Sequence, residues 1–169
     1  AVRFDLNSDG QLLRLTELSG NLIDIDLLEG TQLDWHATDD DKALTTLVLN
    51  AELDNVSRTF SILGQEPVAE TDNGRLAAVL RWPGSPMDID VRTMMGEMDL
   101  TLREGSFLPV PSGATGAVRL LSLLNLAGLF ERANVTRLFE PGVAFKKADG
   151  KLLFNTGQLA LPGFSVEGP

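Results

Sequence analysis

Alternation along several apparent strands is the feature that most constrains this chain. In residues 47–53 (LVLNAEL), Leu47, Leu49, Ala51 and Leu53 point one way. In 76–82 (LAAVLRW), Leu76, Ala78, Leu80 and Trp82 do the same. In 98–103 (MDLTLR), Met98, Leu100 and Leu102 oppose Asp99, Thr101 and Arg103; in 22–27 (LIDIDL), Ile23, Ile25 and Leu27 oppose Asp24 and Asp26. A period of two belongs to strands with one apolar and one polar face, and it excludes an ordinary helical bundle.

A second pattern sets the connections. Gly, any residue, then Leu, Met or Phe recurs at Gly10, Gly20, Gly74, Gly96, Gly105, Gly150 and Gly157, often after Asp or Asn. Glycine supplies the positive φ of a tight turn and the apolar residue opens the next strand. The pattern predicts an antiparallel meander of short strands. It has no fixed period, so it does not define a solenoid.

Two segments read as helix. The first covers about 54–63, with Asp54 or Asn55 as N-cap and Gly64 as its stop. The second covers about 114–133 and contains GAVRLLSLLNLAGLF, residues 116–130. It falls short of the roughly 20 apolar residues that cross a bilayer. Its polar residues Arg119, Ser122 and Asn125 occupy one narrow side, so nearly its whole surface needs cover. A flat sheet face cannot supply that cover, whereas a sheet curved around the helix does. The expected fold is mainly β, in one domain over residues 1–169. It is a curved antiparallel sheet, a half-barrel or folded trough, with one short helix and one apolar helix packed in or across the concave side. AVRFDLNSDG at the start and FSVEGP after the last apparent strand suggest a fragment of a longer protein.

Charge and composition narrow the partners. The 169 residues carry 14 Lys and Arg against 24 Asp and Glu, a net charge of −10. That balance opposes nucleic acid, whose phosphates demand clustered cations, and a purely electrostatic hold on anionic headgroups. Without cysteine there is neither disulfide nor thiol chemistry.

No catalytic constellation emerges. The single histidine, His36 in QLDWHAT, has Asp34 two residues away but no nucleophile motif, and reads as a partly exposed strand residue. Asp39, Asp40 and Asp41 lack the spaced ligands of a calcium loop and read as a solvated turn. The pairs Asp24/Asp26 and Asp88/Asp90 read as the solvent face of strands. No phosphate-binding glycine loop and no G-x-S-x-G element is present. The expectation is a non-enzyme with neither metal nor cofactor.

RWPGSP (81–86), GEMDLTLREGSFLPVPSGATGAVRLLSLLNLAGLF (96–130), PGVAFKKADGKLLFNTGQLAL (141–161) and FSVEGP (164–169) together resemble the C-terminal region of bacterial AsmA-like proteins of the YhdP type. The order of parts is similar: a W-P-G-S-P turn, a strand pair, an R-L-L-x-L-L-x-L helix, an aromatic segment, a G-x-x-F strand and a final G-P. One departure follows the helix. Where the family carries a basic pair and an acid-flanked aromatic, residues 131–139 read ERANVTRLF, keeping the aromatic without the acids.

The resemblance implies a long protein anchored in the inner membrane of a Gram-negative bacterium and projecting through the periplasm. Its sheet would curl lengthwise into an apolar trough that carries phospholipid between inner and outer membranes. This chain would be the far end, joined to the remainder of the parent chain, with outer-membrane or periplasmic proteins as further partners. The acyl-chain contacts would fall on Leu47, Leu49, Leu53, Leu76, Leu80, Trp82, Met98, Leu100, Leu102, Phe154, Leu159 and Leu161. The groove helix would contribute Leu120, Leu121, Leu123, Leu124, Leu126 and Phe130. A charge at Leu100 would then impair transport and one at Thr101 would not. The competing reading is a structural or protein-binding cap, with a closed core, no lipid path and edge strands open to strand addition.

Overall fold

Ten strands and one short helix make up the described part of the computed structural model, residues 1–37, 43–62, 67, 69–108 and 142–169. The strands are β1 (Val2–Ser8), β2 (Leu12–Asn21), β3 (Ile25–Leu27), β4 (Gln32–Ala37), β5 (Ala43–Leu53), β6 (Ala69–Glu70), β7 (Gly74–Pro83), β8 (Met95–Phe107), β9 (Ala144–Asn155) and β10 (Gln158–Glu167). Helix α1 (Val56–Ile62) sits between β5 and β6. All ten strands join one sheet in the order β1-β2-β3-β5-β7-β8-β9-β10, with β4 between β2 and β5 and β6 beside β8. Every pairing is antiparallel. The mainly β, antiparallel expectation therefore holds.

The strands are longer and fewer than the glycine pattern predicts. Gly10 and Gly157 do form the β1–β2 and β9–β10 turns, with φ of 94° and 80°. Gly96, Gly105 and Gly150 instead lie inside β8 and β9. At Gly105 the reason is space: a Cβ there would sit 2.6 Å from the Glu70 carbonyl and 2.6 Å from Phe145 Cζ. A mid-strand glycine marks close approach as readily as it marks a turn. The strand expected over 22–27 is also shorter. Ile23 and Asp24 take positive φ in the β2–β3 turn, and only Ile25–Leu27 pairs.

Strands β3 and β4 act as one strand interrupted by a bulge at 28–31. Buried Thr31 repairs the break. Its hydroxyl donates to the Asn50 carbonyl at 2.9 Å and accepts from the Asn50 amide at 3.1 Å. Thr71 does the same between β6 and β7, donating to the Arg103 carbonyl and accepting from the Asn73 amide. A buried backbone group without a partner is costly, so a hydroxyl at each break preserves the ladder.

Of the two offered N-caps for α1, Asn55 takes the role: its side-chain oxygen accepts from the Arg58 amide at 2.8 Å. Val56, fully buried, presses α1 onto Leu53, Ala69, Leu102, Phe107, Phe145 and Ala148, one of two core clusters. The other joins Ala78, Leu80, Trp82 and Met94. At the end of β8 the Phe107 amide donates to the Val143 carbonyl, and the Gly142 amide donates to the Phe107 carbonyl. The expected apolar helix, with Leu120, Leu121, Leu123, Leu124, Leu126 and Phe130, lies outside the described residues, as do Gly64 and Asp39–Asp41.

Candidate functional site

The register of the sheet assembles an unbroken apolar row at right angles to the strands. Val2 pairs Gly20, Gly20 pairs Leu27, and Leu27 pairs Ala51. Ala51 pairs Leu76, Leu76 pairs Leu100, Leu100 pairs Gly150, and Gly150 pairs Phe164. Laterally paired residues of an antiparallel sheet share a face. This row therefore crosses all eight strands of the main path without one polar side chain. Seven strand spacings of about 4.8 Å make it roughly 34 Å long.

One position along, the composition inverts. Asn21, Asp26, Glu52, Arg75, Thr101, Asp149 and Ser165 form the adjacent row, every member polar. It belongs to the opposite face because successive side chains alternate. That face is laced by ion pairs and hydrogen bonds. Arg14 Nε meets Asp34 at 2.8 Å, Lys151 meets Glu97 at 3.0 Å, Lys147 meets Asp149 at 2.7 Å, and Thr101 donates to Asp149 at 2.8 Å. Arg14 holds the Asp34 carboxyl below its ordinary value, and Lys147 does the same for Asp149. Glu97 pushes the Lys151 ammonium up.

The residues expected from the sequence fall on the apolar face with few exceptions. Leu47 pairs Leu80, which pairs Gly96, which pairs Phe154; Met98 stands between Ala78 and Leu152; Leu53 and Leu102 flank Gly74. They divide into two groups by burial. Leu53, Leu80, Trp82 and Leu102 are buried in the two clusters and serve as core. Leu47, Leu49, Leu76, Met98, Leu100 and Phe154 keep part of their surface open. Leu159 pairs Phe154 in the register, and its side chain lies outside the description. Leu161 sits where the β9–β10 register slips by one residue, between Ala160 and Gly163. That slip puts Phe164 opposite Gly150 rather than on the polar face.

Sequence reasoning passed over Leu27, Leu152 and Phe164 as site residues. Leu152 shares the parity of Phe154 and was legible within KLLF. Phe164 was not, because the bulge reverses the count. Asp88 and Asp90, expected on a strand, cap turns in the β7–β8 loop: Asp88 accepts from the Ser85 amide and hydroxyl, each at 2.8 Å, and Asp90 from the Arg92 amide at 2.9 Å.

Asp34 is committed to Arg14 and Gln32, and His36 stands exposed beside Leu12 and Leu44. Among the described residues no group of three or more His, Asp or Glu side chains is placed to hold a metal ion, and no helix is long and apolar enough to cross a membrane.

The chain matches the YhdP protein family over residues 1–169. It belongs to that family. No curated protein and no solved structure matches it. The W-P-G-S-P turn, residues 82–86, has a clear structural role here. Trp82 is 1% exposed, its indole donates to the Ser85 carbonyl at 2.9 Å, and the Gly84 carbonyl accepts from the Thr45 hydroxyl at 2.9 Å. The turn thus locks the loop after β7 to the apolar core and to β5.

Proposed function

We propose that this chain is a segment of a periplasm-spanning lipid conduit, and that the apolar row shields phospholipid acyl chains between inner and outer membranes. The unbroken row from Val2 to Phe164, half-open along most of its length, carries the reading. The sheet would curl lengthwise about it, with the segment 114–133 in or across the mouth, in a protein anchored in the inner membrane. An acyl methylene resists water by roughly 0.8 kcal/mol, so two chains of about 16 carbons resist exposure by on the order of 25 kcal/mol. A dry track that leaves the headgroup in solvent removes most of that barrier without covalent chemistry. The chain would accordingly act as a passive conduit and not as an enzyme.

The capping reading also has an observation in its favour: α1 closes one end of the apolar face, with Val56 fully buried. Native mass spectrometry of the purified chain, with extraction of co-purifying lipid, separates the two. The conduit predicts stoichiometric phospholipid. A lipid-free monomer, still lipid-free after exposure to phospholipid, would leave the cap.

A further inference from the structure

Sulfur in this chain is confined to four methionines, because cysteine is absent. A thioether is soft and polarizable, and its oxidation follows access. The fold grades that access steeply. Met94 is 5% exposed and packs with Ala78, Leu80 and Trp82. Met98 is half-buried on the apolar face, between Ala78 and Leu152. Met95, 43% exposed, opens β8 between Arg81 and Asn155. Met87, in the β7–β8 loop, is 90% exposed.

The loop also decides what an added oxygen does to the rest of the molecule. Groups other than the Met87 side chain hold its base. The Trp82 indole donates to the Ser85 carbonyl at 2.9 Å, the Gly84 amide to the Ala43 carbonyl at 2.8 Å, and the Ser85 amide to the Asp88 carboxylate at 2.8 Å. A sulfoxide oxygen at position 87 therefore enters water without displacing a contact. On Met94 the same oxygen is a polar group forced into an apolar cluster, and on Met98 it interrupts the apolar face.

We propose that Met87 is a site of reversible oxidation, which takes up a hypohalous acid before Met95, Met98 and Met94 meet it. The sulfur lone pair attacks the chlorine of hypochlorous acid, and hydroxide leaves. Water then adds to the chlorosulfonium sulfur and chloride leaves. Loss of two protons, one of them to the hydroxide, gives the sulfoxide. Sulfur gives up two electrons and chlorine gains them. A methionine sulfoxide reductase reverses the step at the cost of two thiols, which become a disulfide while the oxygen leaves as water. Such an enzyme must reach the side chain on the folded protein, and only at Met87 is nearly the whole side chain open. The inference does not depend on the conduit reading, since its readout is the position of an oxygen atom.

The test treats the folded chain with one molar equivalent of hypochlorous acid and locates the added oxygen by peptide mass spectrometry. Met87 should carry about five times as much sulfoxide as Met95 or Met98, and Met94 almost none. The singly oxidised chain should keep the urea midpoint of the parent, and methionine sulfoxide reductase with dithiothreitol should remove the oxygen without unfolding. Met87→Leu keeps an aliphatic side chain at an exposed position and should fold as the parent does. In that variant the same equivalent of oxidant should move to the remaining methionines, raising sulfoxide at Met95 and Met98 about threefold. Equal oxidation of Met87 and Met95 in the parent would overturn the proposal. So would a lowered midpoint after oxidation at 87, a sulfoxide there that resists the reductase, or a Met87→Leu chain whose other methionines take up no more oxygen than before.

Discussion

Leu100 and Thr101 are neighbours in β8 that face opposite sides of the sheet, so they offer a matched perturbation. Leu100 lies in the apolar row between Leu76 and Gly150 and packs against the core cluster around Leu102. Full burial of a leucine is worth about 1.5–3 kcal/mol, and a half-open one about half of that. Leu100→Asp should therefore cost roughly 1–2 kcal/mol of stability, its carboxylate staying hydrated at the open surface. The effect on a bound acyl chain should be larger. If the carboxylate keeps two or three methylenes wet, occupancy falls by about 2 kcal/mol, close to thirtyfold. At Thr101 the sign of the charge matters. Its hydroxyl donates to Asp149, which already meets Lys147, so an aspartate there would face a like charge. Thr101→Lys places an ammonium beside that carboxylate instead, for a change within about 0.5 kcal/mol. The assay is displacement of a fluorescent fatty-acyl probe from the purified chain, with urea unfolding alongside. Loss of probe affinity in Leu100→Asp alone is the predicted result. Equal loss in both variants, or in neither, would refute the assignment of faces.

Gly105→Ala should destabilise by about 1–3 kcal/mol, because its Cβ meets Phe145 and the Glu70 carbonyl at 2.6 Å. Gly163→Ala, with nothing within 4 Å, should be close to neutral; comparable urea midpoints for the two would contradict the packing. Phe145→Ala should cost about 3–5 kcal/mol, since the ring is buried and stands 4.8 Å from that of Phe107; a loss under 1 kcal/mol in the same assay would show the cluster to be peripheral. Acid should weaken the fold. Hydrogen bonds from Leu12 to Asp9, Arg14 to Asp34, Ser85 to Asp88, Arg92 to Asp90 and Lys147 to Asp149 lower these carboxyls below the ordinary 3.8. Their contribution is present above the unfolded value and is lost as pH falls through the folded ones. Asp54, raised by Asp26, works the other way. With the lowered groups in the majority, the urea midpoint should drop below about pH 4, and a midpoint that rose there would reverse the sign.

The apolar face was legible over β5, β7 and β8, which pair over long stretches without slipping. Once Leu49, Leu76 and Leu100 are placed by alternation, pairing brings their rows together. The sequence misled where geometry depends on distant neighbours. Gly105 looks like a turn and is a glycine because Phe145 and Glu70, far away in sequence, crowd it. Ile23 continues the alternation of 22–27, yet the chain turns there with φ of 48°. The slip between Ala160 and Gly163 reverses parity, and no local pattern announces it. Met87, Ile89 and Val91 alternate with Asp88 and Asp90 as a strand would, but the carboxylates cap turns and leave the apolar residues exposed.

The central claim, that the apolar row contacts acyl chains, is tested most directly by parity. A photo-crosslinking amino acid is placed singly at Leu76, Leu100 and Phe164 in the row, and at Arg75, Thr101 and Ser165 in the adjacent polar row. Each variant is irradiated with phospholipid and read by mass spectrometry. Lipid adducts at 76, 100 and 164 with none at 75, 101 and 165 is the result this account predicts. Adducts on both rows, or on neither, would contradict it.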